Sequence, residues 1–330
     1  MTTAPHPHVA VLCGGVGAAR FLRGLLEVVT PAQVTGIVNV GDDSEIHGLH
    51  VSPDLDTITY TLSDAVNTDT GWGLVGETWH AMQQVRAYAA SAGVAPTDEA
   101  AGWFSLGDRD LGTHLYRTSR LRAGASLSEV TAEITQTWGL DVSLVPVTDG
   151  PVRTRVTLSD GRDLSFQEYF VREQHSVKVS EVRFEGTDDV HPSDAAERSL
   201  ADADVIVIAP SNPIVSIEPV LAVPGVREAV EARRDNTVAI SPIVGGAALK
   251  GPADRLMQEL DLEPTAVGIA RWYAPLASTL VIDAVDADLA PAVEAEGIRC
   301  VVTDTIMSRP GVGATLATVC LQAGTAGAPR

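Results

Sequence analysis

The feature that most constrains the fold is a short apolar run, Val9 to Cys13, that breaks into Gly14-Gly15-Val16-Gly17 and continues as a helical stretch over about 18–29. A buried strand, a tight glycine turn and a helix make the first half of a βαβ unit, and Gly36-Ile37-Val38-Asn39-Val40 supplies its second strand. Such a unit commits the chain to a parallel sheet, because parallel neighbours can be joined only by a crossover. Val205-Ile206-Val207-Ile208 is apolar on both faces, as a central parallel strand must be, and 236–240, 278–282 and 299–302 read as later strands. The expected fold is α/β: a Rossmann-like, mostly parallel sheet with helices on both faces.

Between these signals the pattern changes. Val75, Trp79, Met82, Val85 and Ala89 recur at helical spacing and predict one amphipathic helix. Ser126 with Glu129 forms a capping-box pattern, Leu127, Val130, Ile134 and Trp138 make the apolar stripe, and Gly139 supplies the stop. From 152 to 185, strands and turns surround the polar Gln167-Glu168-Tyr169 segment. The expected organisation is a single domain with its core at about 8–75 and 203–320 and an inserted helical and stranded lobe at about 76–200.

The formal net charge is −20, and that field repels nucleic acid, so an anionic ligand must be held by local devices: backbone N–H groups, a few cationic side chains or a metal. Cys13, Cys300 and Cys320 are odd in number and widely spaced, which suits small core residues in a reducing compartment. The segment before His8 lacks the basic region of a signal peptide, and no apolar run is long enough to span a membrane. A cytoplasmic location is expected.

Four motifs carry candidate chemistry. Gly14, Gly15 and Gly17 allow a phosphate to approach the backbone at a helix N-terminus, although the dinucleotide fingerprint and the P-loop Gly-Lys-Ser/Thr are both incomplete. The competing reading is a turn that only packs helix on strand. Asp42-Asp43 follows the second strand, and Asp54 and Asp56 follow in Pro53-Asp54-Leu55-Asp56. Carboxylates at the carboxyl edge of a sheet suit Mg²⁺, yet Asp56 also fits an N-cap for a helix over 57–62. Arg109, in Gly107-Asp108-Arg109-Asp110, reads as a forked anion contact or as a surface ion pair with Asp108 or Asp110, ahead of a helix bearing His114 and Arg117. Ala209-Pro210-Ser211-Asn212-Pro213 ends the apolar strand in a rigid turn that offers Ser211 and Asn212 to a ligand.

Together, Gly-Gly-Val-Gly-Ala-Ala-Arg-Phe-Leu (14–22), Asn-Val-Gly-Asp-Asp (39–43), Ser-Pro-Asp-Leu-Asp-Thr (52–57) and Trp-Phe-Ser-Leu-Gly-Asp-Arg-Asp-Leu-Gly-Thr-His-Leu (103–115) resemble one family. Leu-Val-Pro-Val-Thr-Asp (144–149), Phe-Gln-Glu-Tyr-Phe-Val-Arg (166–172) and Ala-Pro-Ser-Asn-Pro (209–213) extend the match. The family is the 2-phospho-L-lactate or phosphoenolpyruvate transferases of coenzyme F420 biosynthesis. Val16 and Ile46-His47-Gly48-Leu49 look like its actinobacterial type.

The resemblance implies an enzyme that needs Mg²⁺, takes a guanosine diphosphate-type donor and uses the deazaflavin 7,8-didemethyl-8-hydroxy-5-deazariboflavin (Fo) as acceptor. The enolpyruvyl- or lactyl-phosphate group would pass to the ribityl hydroxyl of Fo with release of GMP. Carried over by motif, Asp54 and Asp56 are catalytic, Asp42, Asp43, Asp54 and Asp56 hold the metal, and Gly14, Gly15, Gly17, Arg109, Ser211 and Asn212 bind the substrates, with Asp54 or Asp56 and Arg109 on the Fo side. Small molecules are the expected partners, with neither nucleic acid nor membrane, and a homodimer is compatible with the resemblance. The alternative is a related non-catalytic regulatory protein that binds a nucleotide sugar.

Overall fold

The computed structural model describes residues 7–69, 71–95, 98, 101–173 and 176–326. Its central sheet contains β1 (Val9–Cys13), β2 (Val34–Val38), β3 (Ser143–Pro146), β4 (Val205–Ile208), β5 (Thr237–Ile240), β6 (Thr279–Asp283) and β7 (Arg299–Thr303). The spatial order is β7-β6-β5-β4-β1-β2-β3, and every pairing in it is parallel. Both β1 and β4 are buried at every position, which explains why neither alternates polar with apolar residues.

The strand order decides where a ligand can sit. From β1 the chain steps outward through β2 to β3, then returns to β4 on the other side of β1 and steps outward again. The connections leaving β1 and β4 therefore run to opposite sides of the pair. That topological switch point is where open α/β sheets bind ligands.

Helix α1 (Gly15–Leu25) begins earlier than the expected 18, because Gly14 takes the extended N-cap conformation and the helix starts inside the glycine turn. It packs on the last described helix, Val312–Thr325, at a glycine-to-glycine crossing. A Cβ on Gly24 would come within 2.3 Å of the Gly313 carbonyl carbon. In α2 (Pro53–Leu62), Ser52 is the N-cap and Pro53 opens the helix, so Asp56 lies inside the first turn and does not cap it.

The helix predicted from Val75 to Ala89 is shorter. It is α3 (His80–Ala92), with Met82 and Ala89 buried but Val75 and Trp79 outside it and exposed. Its start is capped from a distance by the Asp108 carboxylate, which accepts N–H bonds from His80 and Ala81 at 2.9 and 3.0 Å. Helices α4 (Asp110–Arg122) and α5 (Leu127–Thr137) follow. At α5 both halves of the Ser126/Glu129 capping box form, and Gly139 adopts φ +71° past its end.

Strands Arg153–Leu158, Asp163–Ser165 and Val179–Glu185 form a separate antiparallel sheet around a π-helical turn at Glu168–Arg172. The segment 76–200 is not only a lobe, however. It also supplies β3, the edge strand of the central sheet, and α5 packs directly on that strand. The physical reason is visible in Leu144 and Val145, which are buried where β3 pairs with β2. A short hairpin, Ser44–Ile46 with Leu49–Val51, projects just beyond β2. All three cysteines are free thiols, as expected.

Gly24→Ala places a methyl group into the backbone of Gly313, and overpacking of this kind costs about 1–3 kcal/mol. Urea unfolding of the variant should show a lower midpoint with an unchanged slope.

Candidate active site

Several loops meet at the switch point, and glycine governs how closely they approach. A Cβ on Gly14 would lie 2.5 Å from Asp54 Oδ2, and one on Gly17 would lie 2.2 Å from the Pro210 carbonyl oxygen. The β1 turn therefore has one wall in the first turn of α2 and another in the loop after β4. Ser211 Oγ donates to the Gly14 carbonyl at 2.8 Å, and Asn212 Oδ1 accepts from Ile214 N–H at 3.0 Å. Through these bonds Ser211 braces the turn and Asn212 caps the helical segment that follows.

Asp54 is buried against this turn. Asn39 Nδ2 donates to its Oδ2 at 2.9 Å, while Asn39 Oδ1 accepts the Gly41 N–H at 2.7 Å. Asn39 thereby ties the end of β2 to the start of α2. Burial pushes the Asp54 carboxyl up to about 7, the Asn39 hydrogen bond holds it back, and the neighbouring Asp43 charge raises it further.

Asp42 is also buried, and burial and then the Asp54 charge push its carboxyl well above the usual range. Its Oδ1 and the Thr154 hydroxyl are buried without a hydrogen bond of normal geometry, although the hydroxyl is close enough to moderate the carboxyl's proton affinity. Asp43 Oδ2 accepts from the Ser52 hydroxyl at 2.7 Å and pairs with His50 Nε2 at 3.0 Å. Burial raises the Asp43 carboxyl, and His50 and Ser52 partly offset that rise.

Asp56 does not join this group. Both of its oxygens take the guanidinium of buried Arg117, and His114 Nδ1 lies 3.8 Å away. Of the two readings of Arg109, the surface ion pair does not form: among the described residues it pairs with neither Asp108 nor Asp110, and its Nη1 donates to the Val75 carbonyl. Asp108 is occupied in capping α3, and Asp110 takes the Tyr60 hydroxyl at 2.6 Å.

Sequence reading missed two residues. Asn39 was read as part of a strand and of the 39–43 motif but given no role, though an amide at a strand end beside paired aspartates was the available signal. Lys250 is one of two lysines in the chain. Its Nζ lies 2.7 Å from where a Cβ on Gly71 would be, and the Val16 methyls are 3.7 Å from that same point. Lys250 thus sets an ammonium beside the first residues of α1, and it has no ion pair among the described residues. Its signal was its rarity in so acidic a chain.

Among the described residues no three His, Cys, Asp or Glu side chains converge as a preformed metal cage. The four-carboxylate set expected from sequence is therefore not assembled, because Asp56 is committed to Arg117. What remains fits a hard cation that keeps several waters and binds through one or two carboxylates together with substrate phosphates. Asp42 and Asp54 are two mutually repelling buried carboxylates, one of them with an unsatisfied oxygen.

Because its folded-state carboxyl is pushed up to about 7, Asp54 binds a proton more tightly folded than unfolded, where about 3.9 is normal. Its contribution to stability is complete below about pH 4 and is lost as pH rises to about 7. Asp54→Asn should therefore raise the thermal midpoint above pH 7 and leave it near wild type at pH 4. Melting curves across this range test the point, and parallel curves for the two proteins would refute it.

The chain matches the family described as 2-phospho-L-lactate transferase CofD over residues 9–319. It is 40% identical over 312 residues to a phosphoenolpyruvate transferase of Nocardia farcinica, covering 91% of each chain. It is 42% identical over 305 residues to a phosphoenolpyruvate transferase of Kitasatospora aureofaciens, covering 91% of this chain and 92% of that one. A crystal structure of a UPF0052 family member from Bacillus halodurans superposes with a TM-score of 0.60 over 97% of this chain and 100% of that one. At 17% identity that likeness speaks for the fold alone. By the extent of the family match and the identity to these relatives, the chain belongs to the 2-phospho-L-lactate transferase CofD family.

Proposed function

We propose that this enzyme of coenzyme F420 biosynthesis transfers the enolpyruvyl-phosphate group from enolpyruvyl-diphospho-5′-guanosine to Fo. The ribityl hydroxyl oxygen attacks the phosphorus that carries the enolpyruvyl oxygen. The new P–O bond completes a phosphodiester, the P–O bond to GMP breaks, and GMP leaves. The observation that carries this reading is the buried Asp42–Asp54 pair beside the glycine turn at the switch point. The preference for the enolpyruvyl donor rests on relatives of about 40% identity that carry the name phosphoenolpyruvate transferase. Those relatives also favour catalysis over the nucleotide-sugar-binding regulator.

Each group has a task that follows from its placement. The first N–H groups of α1 and the Lys250 ammonium face the diphosphate, supplying positive potential that the chain as a whole lacks. Asp42 and Asp54 would hold Mg²⁺, which when bound offsets charge on the phosphates as GMP departs. Asp43, raised by burial and held in place by His50 and Ser52, accepts the ribityl proton. Arg172, stacked 5.8 Å over the Trp103 ring, joins the 103–109 loop to the Phe166–Phe170 aromatic pair. Gln167 in that segment donates to the Asp42 carbonyl at 3.4 Å, which sets an aromatic surface for the deazaflavin near the carboxylates.

Three measurements test this function. Supplied with Fo, Mg²⁺ and equal amounts of both donors, the enzyme should give mainly the dehydro product, lighter than the lactyl product by two hydrogens. A dominant saturated product would reverse the donor assignment, and no product while Fo stays bound would remove the transferase assignment. Turnover should vanish with EDTA and return with excess Mg²⁺. Lys250→Ala should weaken GDP binding about 10-fold by calorimetry, the loss of one charge-assisted contact.

A further inference from the structure

Arg117 takes no part in the reaction just described, yet it is among the most deeply buried side chains, 2% exposed. Its guanidinium forks onto both oxygens of Asp56. The same Nη1 reaches the His50 carbonyl at 3.4 Å, and the neighbouring Thr118 Oγ1 accepts the His50 N–H at 2.8 Å. Helix α4 therefore grips His50 by both backbone groups while the His50 ring holds Asp43. On the other side, Asp56 lies one residue beyond Leu55 in the α2 turn that carries Asp54.

Burying an ion pair is a costly way to stabilise a fold, because desolvation consumes most of the Coulombic gain. Arg117 is not even fully satisfied: its Nε is buried without a hydrogen-bond partner. What the arrangement does provide is geometry. A planar fork fixes direction as well as distance, which the single ammonium of a lysine does not.

We infer that Arg117 is a positioning residue that sets the two acidic clusters against each other, acting on Asp43 through His50 and on Asp54 through Asp56. It deepens the reading above, since it rests on Asp42, Asp43 and Asp54 being the working carboxylates. Asp56 is then part of the positioning device rather than a metal ligand or a base. The same logic explains why an acidic residue two positions from Asp54 is turned away from it and into α4.

The test uses Arg117→Lys, the double variant Arg117→Met/Asp56→Asn, and Asp54→Asn as a control on the site itself. For each, Mn²⁺ affinity is read by electron paramagnetic resonance of the free ion, kcat and KM by Fo turnover, and folding by thermal melting. Arg117→Lys keeps the charge and loses the fork, so Mn²⁺ affinity and kcat should each fall about 10- to 100-fold, as for outer-shell partners of metal ligands. KM for the donor should stay near wild type, because Arg117 does not touch it. The double variant leaves no unpaired buried charge, so it should melt near wild type while kcat stays low. A purely stabilising pair would give the opposite result: kcat in the double variant would recover together with the melting midpoint. Wild-type kcat in folded Arg117→Lys overturns the inference whatever the metal data show. Wild-type Mn²⁺ affinity in Asp54→Asn would instead displace the metal assignment, and the kcat comparison would still decide the role of Arg117.

Discussion

At the carboxyl end of β1 the backbone passes so close to Asp54 that no side chain fits at Gly14, and the rest of the edge is built on that contact. Because Gly14 is bare, the first turn of α2 can press its carboxylate against the glycine turn. Asn39 at the end of β2 then completes the bridge by donating to the same oxygen. Three segments that leave the sheet in different directions are thereby held at one point. A Cβ at Gly14 would displace the Asp54 carboxylate and crowd Ser216 and Asn39.

The electrostatics follow from this crowding. A chain with net charge −20 would be expected to keep its carboxylates in water, where they repel weakly. Here Asp42 and Asp54 are both buried, and each is driven toward its protonated form by desolvation and by a neighbouring aspartate. That arrangement is unfavourable for the unliganded fold, as functional sites often are. In the proposed reaction a divalent cation would relieve the repulsion, and the α1 N-terminus and Lys250 would give the edge the positive side that a diphosphate needs. Asp43 has a different environment, since His50 and Ser52 both serve one oxygen and fix its direction.

The parallel sheet was legible because buried parallel strands and glycine turns are local signals: β1, β4 and the strand-turn-helix start can be read residue by residue. The α5 capping box was legible for the same reason, since its two hydrogen bonds join residues three apart. Less legible was the helix expected to begin at Val75, because its cap is the carboxylate of Asp108, far away in the chain. The lobe boundaries were also blurred, since β3 is short and only its pairing with β2 marks it as part of the main sheet. Asp42 and Asp43 stood out by residue type and by their position after a strand, and Asp54 by its place in the paired-aspartate motif.

Composition and order thus determined the fold class and the family resemblance, and they pointed to one edge of the sheet. The sequence could not divide the labour among residues of one type, because that depends on partners distant in the chain. Asp54 and Asp56 are two positions apart and look equivalent, but helical geometry turns one toward Asn39 and Gly14 and the other into Arg117 on α4. Ser211 and Asn212 likewise stand side by side in sequence, yet packing gives one the Gly14 carbonyl and the other a helix cap. Lys250 gained its place only when a segment far along the chain folded back over Gly71 and Val16. Local sequence sets which chemical groups are available, and the long-range packing of the sheet and its helices decides which of them remain free to act.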